Sequence, residues 1–206
     1  MIKNIVLDWH GVLDLISPMT LRSRFIKLFL KLIWRQKFLQ AWHILKFGFD
    51  SYSPMVTDYA AGKVSGADFW NYVRQQTDAD IAKAFQLSLM QVHVNQNLVE
   101  FLKPIQDSYN LYILSDCPLD KKPLIIEKIP SELNFEKVYF SCDYRTTKRD
   151  AKLFELFLAQ ENLNPAETLF IDDSFKNIKI AKTFGLQTKL FLTHKDASQL
   201  HRVLKQ

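Results

Sequence analysis

Ile5-Val6-Leu7-Asp8-Trp9-His10-Gly11-Val12-Leu13-Asp14-Leu15 is the stretch whose reading decides the fold. Ile5, Val6 and Leu7 form a short, uninterrupted apolar run, the pattern of a strand covered on both faces in a parallel sheet. Asp8 follows at its carboxyl end, and Gly11 supplies a sharp turn just beyond. Ligands of open α/β sheets bind at that edge, so a carboxylate delivered there has the layout of a site. The plainer reading is an Asp that starts a turn. The two are separated by residues further along the chain.

The frame around this stretch is an ordinary globular one. The chain has 206 residues, 48% of them hydrophobic, enough for one compact domain or for a core with a modest insertion. That composition excludes disordered and fibrous classes. Cys117 and Cys142 are too few and too far apart for a disulfide framework, and no Cys/His cluster has zinc spacing. Ile2–Leu7 is too short for the apolar core of a signal peptide, and no apolar stretch reaches the roughly 18 residues of a spanning helix. The expected location is therefore the cytoplasm. A net charge of +5 and a pI of about 9.1 permit an anionic partner without naming one.

Three zones follow from the pattern. After the opening strand, helical periodicity predicts segments at Leu21–Phe47, Pro54–Ala61, Gly66–Gln76 and Asp80–Leu89, broken at Gly48 and at Gly62 to Ser65. From Asn97 onward, apolar runs alternate with amphipathic stretches. Leu98–Ser108, Lys152–Gln160 and Ile178–Phe184 are expected helices; Leu111–Leu114, Lys137–Phe140, Thr168–Ile171 and Thr188–Leu192 are expected strands. Alternation of this kind predicts an α/β fold, a doubly wound parallel sheet of Rossmann-like type. The helical block between the first strand and the rest reads as an inserted cap: residues 17–92 form the cap, and residues 1–16 with 93–206 the core.

A second constellation, Leu169-Phe170-Ile171-Asp172-Asp173-Ser174-Phe175-Lys176-Asn177, again sets acids directly after a buried-type strand. Adjacent carboxylates at a strand end repel one another and lose hydration. They either cap the next helix or share a hard divalent cation. Magnesium prefers oxygen ligands, and Asp8 with Asp172, Asp173 nearby, would hold it at a common edge. Two other strand ends carry complementary groups. Ser115 closes the strand Leu111–Leu114 with a hydroxyl that can donate to a phosphate oxygen. Lys148, before a helix, offers an ammonium to an anion in the same crevice, with Arg145 and Arg149 as competitors.

In this order the four pieces resemble the haloacid dehalogenase superfamily of hydrolases, most closely its phosphatase branch with a helical cap after the first strand. The similarity runs over nearly the whole chain: the Asp8 loop, Leu114-Ser115, Lys148, Leu169–Asn177 with Ala181 and Gly185, and in the cap Tyr59–Ser65 with Phe69-Trp70. It implies a magnesium-dependent phosphohydrolase acting on a small phosphorylated metabolite. Asp8 would be the nucleophile that takes the phosphoryl group as an aspartyl phosphate. Ser115 and Lys148 would bind the phosphoryl oxygens. Asp8, Asp172 and the backbone carbonyl of His10 would ligate magnesium, and Asp173 would do so directly or through water.

Residue 10 departs from the resemblance. The family's phosphatases carry a second Asp there, acid to the leaving group and then base to water; this chain has His10. An imidazole titrates near neutrality and can substitute, although a cation close to magnesium is disfavoured. Two alternatives accompany the phosphatase reading. One is a catalytically weak relative serving as a binding or interaction protein. The other is a phosphonoacetaldehyde-hydrolase-like carbon–phosphorus hydrolase, whose Asp-Trp-x-Gly is similar to Asp8-Trp9-His10-Gly11 and which needs a cap lysine. Dehalogenases of the superfamily lack an acidic pair such as Asp172-Asp173.

The first cap segment adds a feature of its own. Seven Lys/Arg residues and no acid lie between Asp14 and Asp50, interleaved with Phe25, Phe29, Trp34, Phe38, Trp42 and Phe47. The bland reading is a cap helix buried against neighbours with lysine stems over apolar surface. A membrane surface, a protein partner or a multiply charged substrate are the other readings of the basic aromatic pattern. No recognised module accompanies the charge, so nucleic acid is not an expected partner.

Overall fold

The structure is a computed structural model that describes residues 1–15, 54–77, 79–192, 200 and 204. The expected helix Leu21–Phe47, with its basic aromatic pattern, lies outside the described residues. Five parallel strands, β1 (Asn4–Leu7), β2 (Asn110–Ser115), β3 (Phe135–Phe140), β4 (Thr168–Asp172) and β5 (Gln187–Leu190), form one sheet in the order β3-β2-β1-β4-β5. The chain therefore winds outward from β1 to β3, crosses back, and continues on the other side of β1. That reversal is the topological switch point of a doubly wound sheet, and its crevice opens where β1 ends.

Alternation along the strands explains why both faces are covered. Ile5 and Leu7 of β1, Leu111 and Ile113 of β2, and Leu169 and Ile171 of β4 share one face. They pack there on α4 (Gln96–Leu102) through Leu98, Val99 and Leu102, and on α5 (Lys122–Lys128) through Ile125. Val6, Tyr112, Leu114, Tyr139 and Phe170 point the other way. They meet Leu153, Phe154 and Phe157 of α7 (Lys152–Gln160) and Ile178 and Ala181 of α8 (Phe175–Thr183). Continuous apolar strands are what such two-sided burial requires.

Three helices between β1 and α4 form the inserted cap seen among the described residues: α1 (Pro54–Ala60), α2 (Gly66–Gln76) and α3 (Ala79–Leu89). They carry a small apolar core of Tyr59, Phe69, Trp70, Val73 and Ala82, in which Tyr59 and Phe69 stack with ring centroids 3.8 Å apart. The Ser65 side chain caps α2 by accepting from the Asp68 N–H, which ends the Gly62–Ser65 break and starts the helix.

Some boundaries differ from expectation for identifiable reasons. The segment Leu98–Ser108 is not one helix: α4 ends at Leu102, and a separate short turn spans Gln106–Ser108. Pro104 has no N–H and cannot continue the ladder. The helix expected at Ile178 begins at Phe175 because the Ser174 side chain caps it, accepting from the Asn177 N–H. The last strand runs over Gln187–Leu190 rather than Thr188–Leu192. Helix α5 and the single turn α6 (Ser141–Tyr144) are absent from the pattern reading: one is seven residues long with only Ile125 buried, the other a single turn.

Phe157 is almost completely buried and meets Tyr112 and Tyr139 edge-on, at 5.5 and 5.0 Å between centroids. Phe157→Ala should destabilise the fold by about 3–5 kcal/mol, read as a lower urea midpoint at unchanged slope.

Candidate active site

The register sets the ends of three strands level. Leu7 pairs with Ile113 on one side and Ile171 on the other, so Asp8, Ser115 and Asp172 emerge at one edge. The Asp8 N–H donates to the Ile171 carbonyl at 2.9 Å, while Asp8 Oδ1 accepts from the Trp9 N–H at 2.7 Å. The chain then turns back on itself, Gly11 N–H donating to the Asp14 carbonyl and Asp14 N–H to the Trp9 carbonyl. Gly11 has φ +80°, and a Cβ there would lie 2.2 Å from Asp173 Oδ2. Only glycine fits both the backbone conformation and the approach of the second acid. Trp9 itself is fully buried in the main apolar core.

Lys148 joins the strand ends. It is 1% exposed, and its Nζ lies 2.8 Å from Asp8 Oδ1 and 2.7 Å from Asp172 Oδ2. Its position is fixed locally: Thr147 and Asp150 form a capping box around a short turn, and the Lys148 N–H donates to Asp116 Oδ1 at 2.9 Å. Asp172 is further tied by the Ser174 N–H at 2.7 Å and by Asn177 Nδ2, 3.2 and 3.0 Å from its two oxygens. Arg145 is exposed and Arg149 half-buried, so of the three candidate cations it is Lys148 that meets the carboxylates. Asp116 is a site residue the pattern reading missed, its one signal being that it follows Ser115.

Electrostatics follow from the packing. Burial pushes the Asp8 carboxyl well above the carboxylate range, Lys148 opposes this, and Asp172 and Asp173 add to it. Burial works to lower the Lys148 ammonium, but Asp172, Asp8 and Asp116 hold it above the ordinary lysine range. Burial also raises Asp116, against the nearby Lys148. Ser115 is fully buried, and its Oγ has no hydrogen-bond partner among the described residues. A buried hydroxyl left unsatisfied at a strand end is a donor waiting for an acceptor.

His10, the next residue but one after Asp8, is half-buried. Its Nδ1 lies 3.5 Å from Oδ2 of the buried Asp14, whose Oδ1 accepts from the His93 N–H at 2.8 Å. Burial and the Lys121 ammonium bring the imidazole down to about 4, with Asp14 resisting. Asp14 also stands where the chain leaves the core and returns. Leu15 N–H donates to the His93 carbonyl, Asn95 N–H to the Leu13 carbonyl and Asn95 Nδ2 to the Val12 carbonyl.

Asp8, Asp172 and Asp173 present oxygens that all lie within 4.8 Å of one another. An all-oxygen, carboxylate-rich set suits a small hard cation rather than zinc or copper, and three carboxyls so close together repel one another unless a cation joins them. Among the described residues no helix is long and apolar enough to cross a membrane.

Comparison with known proteins agrees with this fold. The family model for haloacid dehalogenase-like hydrolases matches residues 46–191, which include Ser115, Lys148, Asp172 and Asp173. A D-ribitol-5-phosphate phosphatase of Bacteroides thetaiotaomicron is 27% identical over 199 residues, covering 91% of both chains. Among solved structures, the magnesium complex of a family enzyme from Bacteroides thetaiotaomicron superposes with a TM-score of 0.73 at 24% identity over 98% of each chain. That enzyme has also been solved with magnesium and inorganic phosphate. A predicted hydrolase of the family from Porphyromonas gingivalis superposes with a TM-score of 0.71 at 22% identity, covering 100% of this chain and 99% of its own. By fold, by the order of its site residues and by the family model, the chain belongs to the haloacid dehalogenase-like hydrolases.

Proposed function

We propose that the protein is a magnesium-dependent phosphohydrolase that moves the phosphoryl group of a small phosphorylated metabolite first to Asp8 and then to water. The observation that carries this reading is the Asp8–Lys148–Asp172 ion cluster at the switch point, with Asp173 in reach of the same cation. The phosphatase relative, which acts on a sugar-alcohol phosphate, supports the substrate class.

Each residue has a distinct task in this scheme. Asp8 is the nucleophile, and a covalent carboxylate splits one difficult displacement into two easier ones. Its burial favours the neutral acid, and the contact with Lys148 works against this, toward the carboxylate. Asp8, Asp172 and Asp173, with the carbonyl of His10, would hold magnesium; bound there, the metal supplies the Lewis-acid charge that offsets repulsion between the carboxylate and an anionic substrate. The Ser115 hydroxyl and the Lys148 ammonium bind phosphoryl oxygens and place the phosphorus against Asp8. Asn177 and the Ser174 N–H orient Asp172. His10 stands at the position of the second acid, with Asp14 at its Nδ1; neutral near pH 7, its imidazole would serve as a base toward water rather than as an acid to the leaving group.

Three experiments test the scheme. Hydrolysis of p-nitrophenyl phosphate should require added magnesium, disappear with EDTA, and fall at least roughly 10³-fold in Asp8→Asn, whereas equal rates in wild type and variant would exclude the enzyme. His10→Asp should preserve or raise turnover on alkyl phosphates; a collapse would assign His10 a role that a carboxylate cannot fill. Lys148→Met strands the buried Asp8 and Asp172 and should also cost about 3–5 kcal/mol of stability by chemical denaturation.

A further inference from the structure

The loop between β2 and α5, residues 116–121, is fastened both to the site and to the cap. At its site end the Asp116 carboxylate accepts from the backbone N–H of Lys148 at 2.9 Å. Next to it, the Cys117 N–H donates at 2.8 Å to the Ser141 hydroxyl, which in turn donates at 2.6 Å to the Ala60 carbonyl in α1. At the cap end the Asp120 carboxylate accepts from the Tyr59 hydroxyl at 2.7 and 2.9 Å and from Trp70 Nε1 at 3.2 Å. Packing there is close, since a Cβ on Gly66 would lie 2.4 Å from Asp120 Oδ2.

Cap residues thus reach this loop at two points, directly at Asp120 and through the fully buried Ser141 at Cys117. The loop starts where β2 ends, at Ser115, whose buried Oγ has no hydrogen-bond partner among the described residues. A hydroxyl on the last residue of a strand takes its direction from the backbone that follows it, and here that backbone is set by the ties to the cap and to Lys148. Groups that meet phosphoryl oxygens must be placed accurately, because an error of about 1 Å is enough to lose most of their effect. The carboxylate of Asp120 is a strong acceptor for such an anchor.

We propose that cap helices α1 and α2 hold the phosphate-binding end of the loop after β2 in place, with Asp120 and Ser141 as positioning residues for the Ser115 hydroxyl. This rests on the phosphohydrolase reading above and extends it. The cap then acts on the phosphoryl group that all substrates share, and not only on the part that differs between them. Tyr59 and Trp70 contribute through Asp120, while the Ala60 carbonyl contributes through Ser141.

The test measures binding of inorganic phosphate by calorimetry in the presence of magnesium, together with turnover of p-nitrophenyl phosphate. Inorganic phosphate has no leaving group for the cap to recognise, so an effect of Asp120 on its affinity is transmitted through the loop. Asp120→Ala should weaken phosphate roughly 10-fold and slow turnover by a similar factor. Asp120→Asn should stay within about threefold of wild type, because an amide oxygen at the place of Oδ2 lies in reach of both Tyr59 and Trp70. In a Ser115→Ala background the Asp120→Ala loss should shrink to less than about twofold, a non-additivity that general destabilisation does not produce. Should Asp120→Ala fail to melt cooperatively, Tyr59→Phe deletes one hydroxyl, keeps the ring stacked on Phe69 and carries the same comparison, with an expected loss of about threefold. Unchanged phosphate affinity in the folded variant, or losses that multiply with Ser115→Ala, overturn the proposal while leaving Asp8→Asn inactive and the phosphohydrolase reading intact. A wild type inert toward the ester, or an Asp8→Asn variant as fast as wild type, overturns that reading and this proposal together.

Discussion

One ammonium group holds the crevice of this molecule together. Lys148 bridges the carboxylate after β1 and the last residue of β4, while its own backbone is fastened to the loop after β2. Four segments that are distant in sequence thus converge on a charge that is almost fully removed from water. Such an arrangement seldom repays its desolvation, and an apolar replacement of the whole cluster would stabilise the fold at least as well. Its retention makes sense as a pre-assembled electrostatic device: a buried carboxyl against an ammonium, two further acids near enough to share a cation with it, and an unsatisfied hydroxyl at the end of the adjacent strand.

The sheet is the precondition for that convergence. Parallel pairing sets Leu7 opposite both Ile113 and Ile171, so that β1, β2 and β4 end within two residues of one another and three short polar segments become neighbours. The apolar runs Ile5–Leu7 and Leu169–Ile171 are long enough to bury both faces and too short to continue past the edge. Gly11 lets the Asp8 loop fold tightly enough for Asp173 to approach it.

Much of this was legible in the residues alone, because the strands are uninterrupted apolar runs and their terminal acids are abrupt. Asp8, Ser115, Lys148, Asp172 and Asp173 meet at one edge as the alternation of elements implied. What escaped the pattern depends on long-range packing. Asp116 and the run Asp120-Lys121-Lys122 carry no apolar period that would mark them for packing. Asp120 is placed by Tyr59 and Trp70, 50 or more residues earlier, and Asp116 by the backbone N–H of Lys148, 32 residues beyond it. The break at Pro104 was visible in sequence, yet the apolar spacing on either side overrode it in a reading based on period.

The account stands or falls on Asp8 carrying the phosphoryl group. Acid-quenching the enzyme during turnover of a phosphate ester, reducing any acyl phosphate with borohydride and mapping the peptides tests this directly. The account predicts homoserine at position 8, formed only in the presence of both substrate and magnesium. Reduction at another carboxylate, or none while the ester is being hydrolysed, would contradict it.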